Sequence, residues 1–426
     1  MNIYIKPDRS EWAGLCSRPS ESNQVVRDRV QKIIDRVRED GDRAILELAE
    51  EIDGRRPESI RVSDKAVREA GSLVSADVKK AIEAAKKNIR KFHKRQLPGE
   101  IKVKTSPGVT CIQRPVPINR VGLYIPGGTA PLFSTVLMLA VPAKLAKCGE
   151  VILCTPAGKD GRIAPEVLYA AKSCGIRKIY EVGGAQAVAA MAFGTESIEK
   201  VDKIFGPGNQ YVTTAKQILG GSVVAIDMPA GPSEVMVIAD SEADPAFVAA
   251  DLLSQAEHGR DSQVMLVCTS ADVASAVEAE VCRQVKELGR AEFAEAALEK
   301  SRFVVFDSED DIVEFADSYA PEHLIVSTSK PWKIVNRITA AGSVFVGGYT
   351  PESAGDYASG TNHTLPTCAW ARSYSGVNID SFIRKMTIQE ISREGLEGLS
   401  GTIVAMAEAE GLQAHANAVK VRINEK

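Results

Sequence analysis

From Gly108 onward the chain reads as short apolar runs that end in glycine or proline and alternate with segments of helical length, which constrains the fold more than any other feature. VGLYIPGG at 121–128 and VILCTPAG at 151–158 have the unbroken apolarity of strands buried on both faces, each closed by a turn. Between them, residues 130–149 have helical length and small side chains suited to close packing. A helix (164–175), two strand–turn–helix units (178–194 and 203–220) and a strand pair around a turn (223–240) follow. After Pro245 the same rhythm resumes, with apolar runs SQVMLVCTS, RFVVFD, LIVSTS and GSVFVGG between helical stretches. Strands that alternate with helices build parallel sheets, because a parallel neighbour is reached only by a crossover.

Ahead of Gly108 the texture differs. Val26, Val30, Ile33, Ile34, Val37, Ile45, Leu46 and Leu48 recur every three or four positions among charged residues, which predicts surface helices broken near Asp40-Gly41. Residues 63–93 continue the pattern, with Ser75 and Asp77 as N-terminal cap residues. His93, among Lys91, Lys94 and Arg95, is expected on a solvated face. A chain of 426 residues exceeds one ordinary core. The reading is therefore α/β with two doubly wound domains: 1–20 an N-terminal arm, 21–124 plus 235–380 a first domain, 125–234 a second, and 381–426 a C-terminal segment.

Composition narrows the function classes. With 44% hydrophobic and 25% charged residues the chain can bury a large core without disulfides, and a net charge of -4 argues against a nucleic-acid or anionic-membrane surface. Small-molecule partners are expected. MNIYIKPDRS has no apolar run behind a basic start, and the most apolar stretch, 131–141, gives way to Pro142, Lys144 and Lys147 too soon to span a bilayer. A cytoplasmic location follows as an expectation. The eight cysteines contain no CxxC pair and are expected as buried thiols, with Cys111 and Cys148 weighed as nucleophiles.

Chemistry concentrates in a few polar segments. PESAGDYASGTNHTLP at 351–366 holds Asp356 and His363 in a composition that suits neither an amphipathic helix nor an apolar strand, so a loop is expected. Gln255 and His258 lie three residues apart at a predicted helix end, where they can share a face. With Asp356 and His415 they offer imidazole, carboxylate and amide ligands of the kind that suit zinc, although spacing alone does not assemble them. Glu322-His323 sits just after Pro321, which disfavours helix at Ala320, and just before an apolar strand. That is the strand-edge placement of catalytic acids and bases in α/β enzymes, and adjacent side chains that diverge suit two separate proton transfers. The glycine turns at 183–190 and 206–215 each follow a strand and open a helix, an arrangement that can meet an anion, but neither is a G-x-G-x-x-G fingerprint.

IDMPAGPSEVMVIAD, SQAEHGRDSQ, APEHL, PESAGDYASGTNHTLPT and LQAHANAV, in this order and spacing, closely resemble the histidinol dehydrogenase family, and the match runs from the helical N-terminal region to the tail. The resemblance implies two incomplete Rossmann-like domains, similar to those of aldehyde dehydrogenases, with small terminal segments that exchange across a homodimer. It implies oxidation of L-histidinol to L-histidine through histidinal, the last steps of histidine biosynthesis, with NAD and zinc. Carried over residue by residue, Gln255, His258, Asp356 and His415 would be zinc ligands and Glu322 and His323 the catalytic pair. Ser233, His363 and Glu410 would join these residues around the substrate, and Tyr124, Gln186 and Asn209 would contact NAD. His415 and Glu410 would reach the neighbouring subunit's site. Two alternatives stay open: the same machinery acting on another small alcohol such as a dihydroxypropanesulfonate, which Glu410 and His363 argue against, and a zinc hydrolase in which Glu322 activates water without a cofactor.

Overall fold

The computed structural model describes residues 1–18, 24–127, 131–158, 160–229 and 231–423, so the turn residues Gly128 and Ala230 lie outside it. Among the described residues the strands are β1 (Asn2–Ile5), β2 (Ile101–Ser106), β3 (Val109–Pro117), β4 (Arg120–Tyr124), β5 (Glu150–Thr155), β6 (Lys178–Glu181) and β7 (Lys203–Phe205). They continue with β8 (Ala225–Ile226), β9 (Glu234–Ala239), β10 (Gln263–Cys268), β11 (Arg302–Val305), β12 (His323–Ser327), β13 (Ser343–Val346) and β14 (Ile383–Ile391).

Two parallel sheets form as the alternation predicts. One has the order β6-β5-β4-β7-β8, the other β1-β11-β10-β9-β12-β13. In the first, the chain moves outward from β4 to one side and then to the other, so a crevice opens between the carboxyl ends of β4 and β7. The second reverses in the same way between β9 and β12. β8 and β9 are not the strand pair expected at 223–240: each belongs to a different sheet, and the segment between them carries the chain from one unit to the other.

The N-terminal helices complete the five-stranded unit, which corrects the expected grouping of 21–124 with 235–380. Val26, Val30, Ile34, Val37, Ile45 and Leu48 of the helix Gln24–Asp53 share a core with Tyr124, Ile152, Val188, Ile204 and Val212. Ala70, Ile82, Ala85 and Ile89, from the helices Asp64–Leu73 and Ala76–Lys94, join Val121, Leu123 and Val136. An apolar stripe says that a helix buries one face, not which sheet it covers. The chain kinks at Gly41 as expected, and Ser63 and Ser75 cap the two following helices by accepting from the N–H groups of Ala66 and Val78; Asp77 is not the cap but the second residue of its helix, in the first turn.

Of the expected arm 1–20, residues 19 and 20 lie outside the described residues; β1 pairs in parallel with β11 as an edge strand, and Trp12 and Leu15 join the core of the six-stranded sheet. A three-stranded antiparallel sheet, β14-β3-β2, escapes the sequence reading because its strands are polar or half-exposed and carry no continuous apolar run. The eight thiols are free; Cys148, Cys154 and Cys268 are buried as expected, whereas Cys282 is exposed. Burial pushes the Cys148 thiol up to about 11, which removes it as a nucleophile at neutral pH. Among the described residues no helix is long and apolar enough to cross a membrane.

Candidate active site

The segment 351–366 is not all loop. Glu352–Tyr357 forms a short helix that buries Glu352 and Asp356, four residues apart on one face. The segment packs across the junction of the two units. The Asn362 amide donates to the Met138 carbonyl (2.7 Å), and Asn88 donates to the Ala358 carbonyl (2.9 Å). His93 is fully buried rather than solvated: its Nδ1–H donates to the Ile89 carbonyl (2.9 Å) and its Nε2 faces the Asn362 amide (3.5 Å). A side chain flanked by lysines in sequence can still point inward on a helix, and here it anchors the 351–366 segment.

Glu322 and His323 lie at the amino end of β12, where His323 pairs with Val235 of β9 and Ser343 of β13. This is the break just before the apolar strand that the sequence places them at. Ala320 ends the preceding helix in the left-handed region (φ 51°), so the chain turns sharply into Pro321; a residue before proline disfavours the right-handed helical conformation, and the helix stops there. Gly342 permits a close approach, since a side-chain carbon there would stand 2.5 Å from the Glu322 carbonyl oxygen.

One backbone residue holds both groups. The Glu234 N–H donates to Glu322 Oε2 (2.8 Å), and His323 Nδ1–H donates to the Glu234 carbonyl (3.1 Å). A carbonyl only accepts, so the hydrogen is on Nδ1 and, in the neutral ring, the Nε2 lone pair is free. That Nε2 is buried, has no hydrogen-bond partner and stands 3.9 Å from Asp356 Oδ1. Burial pushes the imidazole pKa down to about 3, so the ring is neutral at pH 7. Burial raises the Glu322 carboxyl well above the usual range, against the opposing Glu234 N–H.

Around this pair the structure gathers Gln255, Glu352, Asp356 and His363. Glu352 Oε1 lies 3.6 Å from His323 Nδ1, and Gln255 is fully buried; with its amide oriented to suit its neighbours, the NH2 donates to Glu352 and the oxygen accepts from the Glu234 N–H at 3.1 Å. Burial raises Asp356 to about 7. His363 Nδ1–H donates to the Asp356 carbonyl (3.1 Å), and its Nε2 meets the Thr135 hydroxyl of the other unit (3.3 Å). His323, Glu352 and Asp356 bring one ligand atom each within 4.8 Å of one another. The two buried carboxyls of this grouping, beside an unpartnered imidazole nitrogen, fit a divalent cation, which would offset the repulsion between them.

His258 sits just past the helix Pro245–Ala256 at the surface, and desolvation, with the nearby Arg290 charge, lowers its imidazole pKa below the ordinary value. Ser233 immediately precedes Glu234. His415 and Glu410 are exposed on the C-terminal hairpin of helices Arg393–Ala409 and Gln413–Ile423. Among the described residues, neither has a side-chain hydrogen bond or ion pair to the cluster. Glu352 and Glu234 were missed in the sequence; reading 352–357 as helical would have exposed the Glu352–Asp356 pairing.

Tyr124, Gln186 and Asn209 gather at the carboxyl edge of the five-stranded sheet, apart from the acid–base pair. The Tyr124 hydroxyl accepts from the Gly184 N–H (3.2 Å) at the start of the helix carrying Gln186. Asn209 Oδ1 caps the helix Gln210–Gly220 by accepting from Tyr211 and Val212, which leaves its NH2 as the group it can offer. Gly206 (φ 124°) lies against the Tyr124 carbonyl, where any side chain would collide. Lys216 and Asp227 bond the Gly206 backbone from beneath (2.9 and 2.8 Å). Two helix N-termini beside a switch-point crevice suit an anionic nucleotide.

A family model described as histidinol dehydrogenase matches residues 16–423. A protein named histidinol dehydrogenase from Bacteroides thetaiotaomicron is 53% identical over 424 residues, covering 100% of this chain and 99% of that protein. One of the same name from Vibrio parahaemolyticus is 56% identical over 396 residues, 92% of this chain and 91% of its own. The crystal structure of histidinol dehydrogenase from Elizabethkingia anophelis superimposes with a TM-score of 0.96 at 49% identity, covering 99% of this chain and 98% of that one.

Proposed function

The chain belongs to the histidinol dehydrogenase family of oxidoreductases, and on that premise we propose that it oxidises L-histidinol to L-histidine through histidinal, with NAD and zinc. The observation that carries the reading is the buried, unpartnered Nε2 of His323 beside the buried Glu322 carboxyl, both held by the backbone of Glu234. When bound, NAD would supply the hydride acceptor and zinc a positive charge that positions the substrate. His323 Nε2 takes the alcohol proton as hydride leaves the carbinol carbon. His323 releases that proton to solvent and the reduced cofactor gives way to a second NAD; Glu322 then removes a proton from the water that adds to the aldehyde, and His323 takes the hydroxyl proton of the resulting hydrate as a second hydride leaves the same carbon, giving the carboxylic acid. A carboxyl raised by burial is a stronger base than an exposed one once ionised.

Gln255, His258 and Asp356 would hold the zinc, with His415 from a second copy. His363 and Ser233, with Glu410 of that copy, would contact substrate, and Tyr124, Gln186 and Asn209 the nucleotide. The exposed hairpin supports sharing between copies: Met406, Leu412 and Val421 are large apolar side chains left open to solvent. If two copies exchange residues 381–426, mixing His415→Ala with His323→Asn protein, each inactive alone, restores activity. One site of each mixed dimer then has both intact residues. Mixtures that stay inactive under subunit exchange contradict the sharing.

The division of labour is tested with Glu322→Gln. NADH formation from histidinal should fall far more than hydride transfer from histidinol in a single turnover, by about 100-fold or more in the aldehyde step. Equal losses in both steps contradict water activation by Glu322.

A further inference from the structure

The residue that holds the acid–base pair is itself clamped from the N-terminal arm. Glu234 opens β9 and its carboxylate is buried. Oε1 accepts from Arg18 Nε (2.9 Å) and the Cys368 N–H (2.9 Å), and Oε2 accepts from Arg18 Nη2 (2.8 Å). The guanidinium thus meets both carboxylate oxygens with its planar fork, the geometry in which arginine fixes orientation as well as charge. Arg18 also holds the segment that leads into the pair. Nη2 donates to the Tyr319 carbonyl (2.7 Å), and the guanidinium lies over the Tyr319 ring, 3.6 Å from its centroid. Tyr319 is the last residue of the helix that turns through Ala320 and Pro321 into Glu322. The arm is pinned in turn: Arg302 donates to the carbonyls of Leu15 and Ser17, and Trp12 packs edge-on against Phe306 and Phe315.

We propose that Arg18 is a positioning residue for the acid–base pair: through its two-point grip on Glu234 and its contact with Tyr319 it fixes the backbone N–H and carbonyl of residue 234 that orient Glu322 and His323. The proposal rests on the reading that this pair carries the chemistry. It gives residues 9–18 a part in the site, although Arg18 touches neither Glu322 nor His323. Lysine would keep the charge but not the fork or the flat stack on Tyr319.

The test uses zinc-loaded full chains carrying Arg18→Ala or Arg18→Lys, assayed for NADH from histidinol and from histidinal, with zinc content measured by atomic absorption. Displacing groups by about 1 Å costs on the order of 100-fold in rate. Arg18→Ala is expected to lose about that much kcat on both substrates with KM and zinc content near wild type, and millimolar guanidinium should return part of it. Arg18→Lys, which keeps the buried charge and so guards against a variant that fails to fold, should fall between. Either folded variant with wild-type kcat, or a loss accounted for by KM or by missing zinc, overturns the proposal. A second readout needs no turnover: 15N NMR of histidine-labelled protein, with His323 assigned by substitution. Wild type should show a fixed Nδ1–H tautomer and Arg18→Lys a perturbed one; unchanged His323 resonances overturn the proposal. Wild-type protein that makes no NADH from histidinol would instead refute the functional reading, and the NMR result would still decide the role of Arg18.

Discussion

Replacing His323 with Asn abolishes turnover, lowering kcat for histidinol oxidation by about 1000-fold or more, while zinc content and fold stay those of the wild type. The expectation follows from the two ends of the ring. An Asn side-chain NH2 can take the place of Nδ1–H and keep the bond to the Glu234 carbonyl (3.1 Å for His323), so the strand start is not left with an unmet acceptor. What Asn lacks is the buried Nε2 with its free lone pair. The structure makes the metal measurement decisive, because His323 also lies within 4.8 Å reach of Glu352 and Asp356 in a grouping able to hold an ion. Metal loss in the variant would make His323 a ligand and leave the alcohol proton without a base. Activity within about tenfold of wild type would exclude it from proton transfer.

Asp356→Asn separates zinc from substrate in the 351–366 segment. Asp356 is buried, stands 3.9 Å from His323 Nε2 and is raised by burial to about 7. Without a cation nearby such a carboxyl is protonated over much of the range below neutrality, so zinc held there as proposed would displace a proton and bind more weakly as pH falls through about 7. Asn removes the charge at nearly constant shape. The expected result is a loss of zinc affinity beyond the roughly 10- to 100-fold seen when an outer-shell partner is removed, with activity falling in step. His363→Asn should behave otherwise. Its ring bonds the Asp356 backbone carbonyl and Thr135, so zinc should remain and KM for histidinol should rise about tenfold or more. Zinc retained by Asp356→Asn, or lost by His363→Asn, would reverse the two roles.

Much of the architecture was legible because parallel strands buried on both faces write themselves as unbroken apolar runs. The runs at β4, β5, β10 and β12 are of that kind. Glu322-His323 was legible for a related reason: Pro321 forced a break beside an apolar strand, and polar chemistry at such a break stands out. What the sequence withheld are matters of address. The stripe of Val30, Ile34 and Ile45 is the same whichever sheet it covers. His93 reads as solvated until the 351–366 segment is known to cover it. Glu352 hides in a stretch rich in Gly and Ser that nevertheless forms one helical turn with Asp356. Arg18 and Glu234, a salt bridge spanning 216 positions, have no local pattern at all.

The most direct measurement is the NADH released when zinc-loaded protein and excess NAD are given a limiting amount of L-histidinol. Four-electron oxidation to L-histidine yields two NADH per histidinol, and removing zinc with a chelator stops it. A single NADH with histidinal accumulating would contradict the role of Glu322, and no NADH from histidinol would contradict the functional reading as a whole.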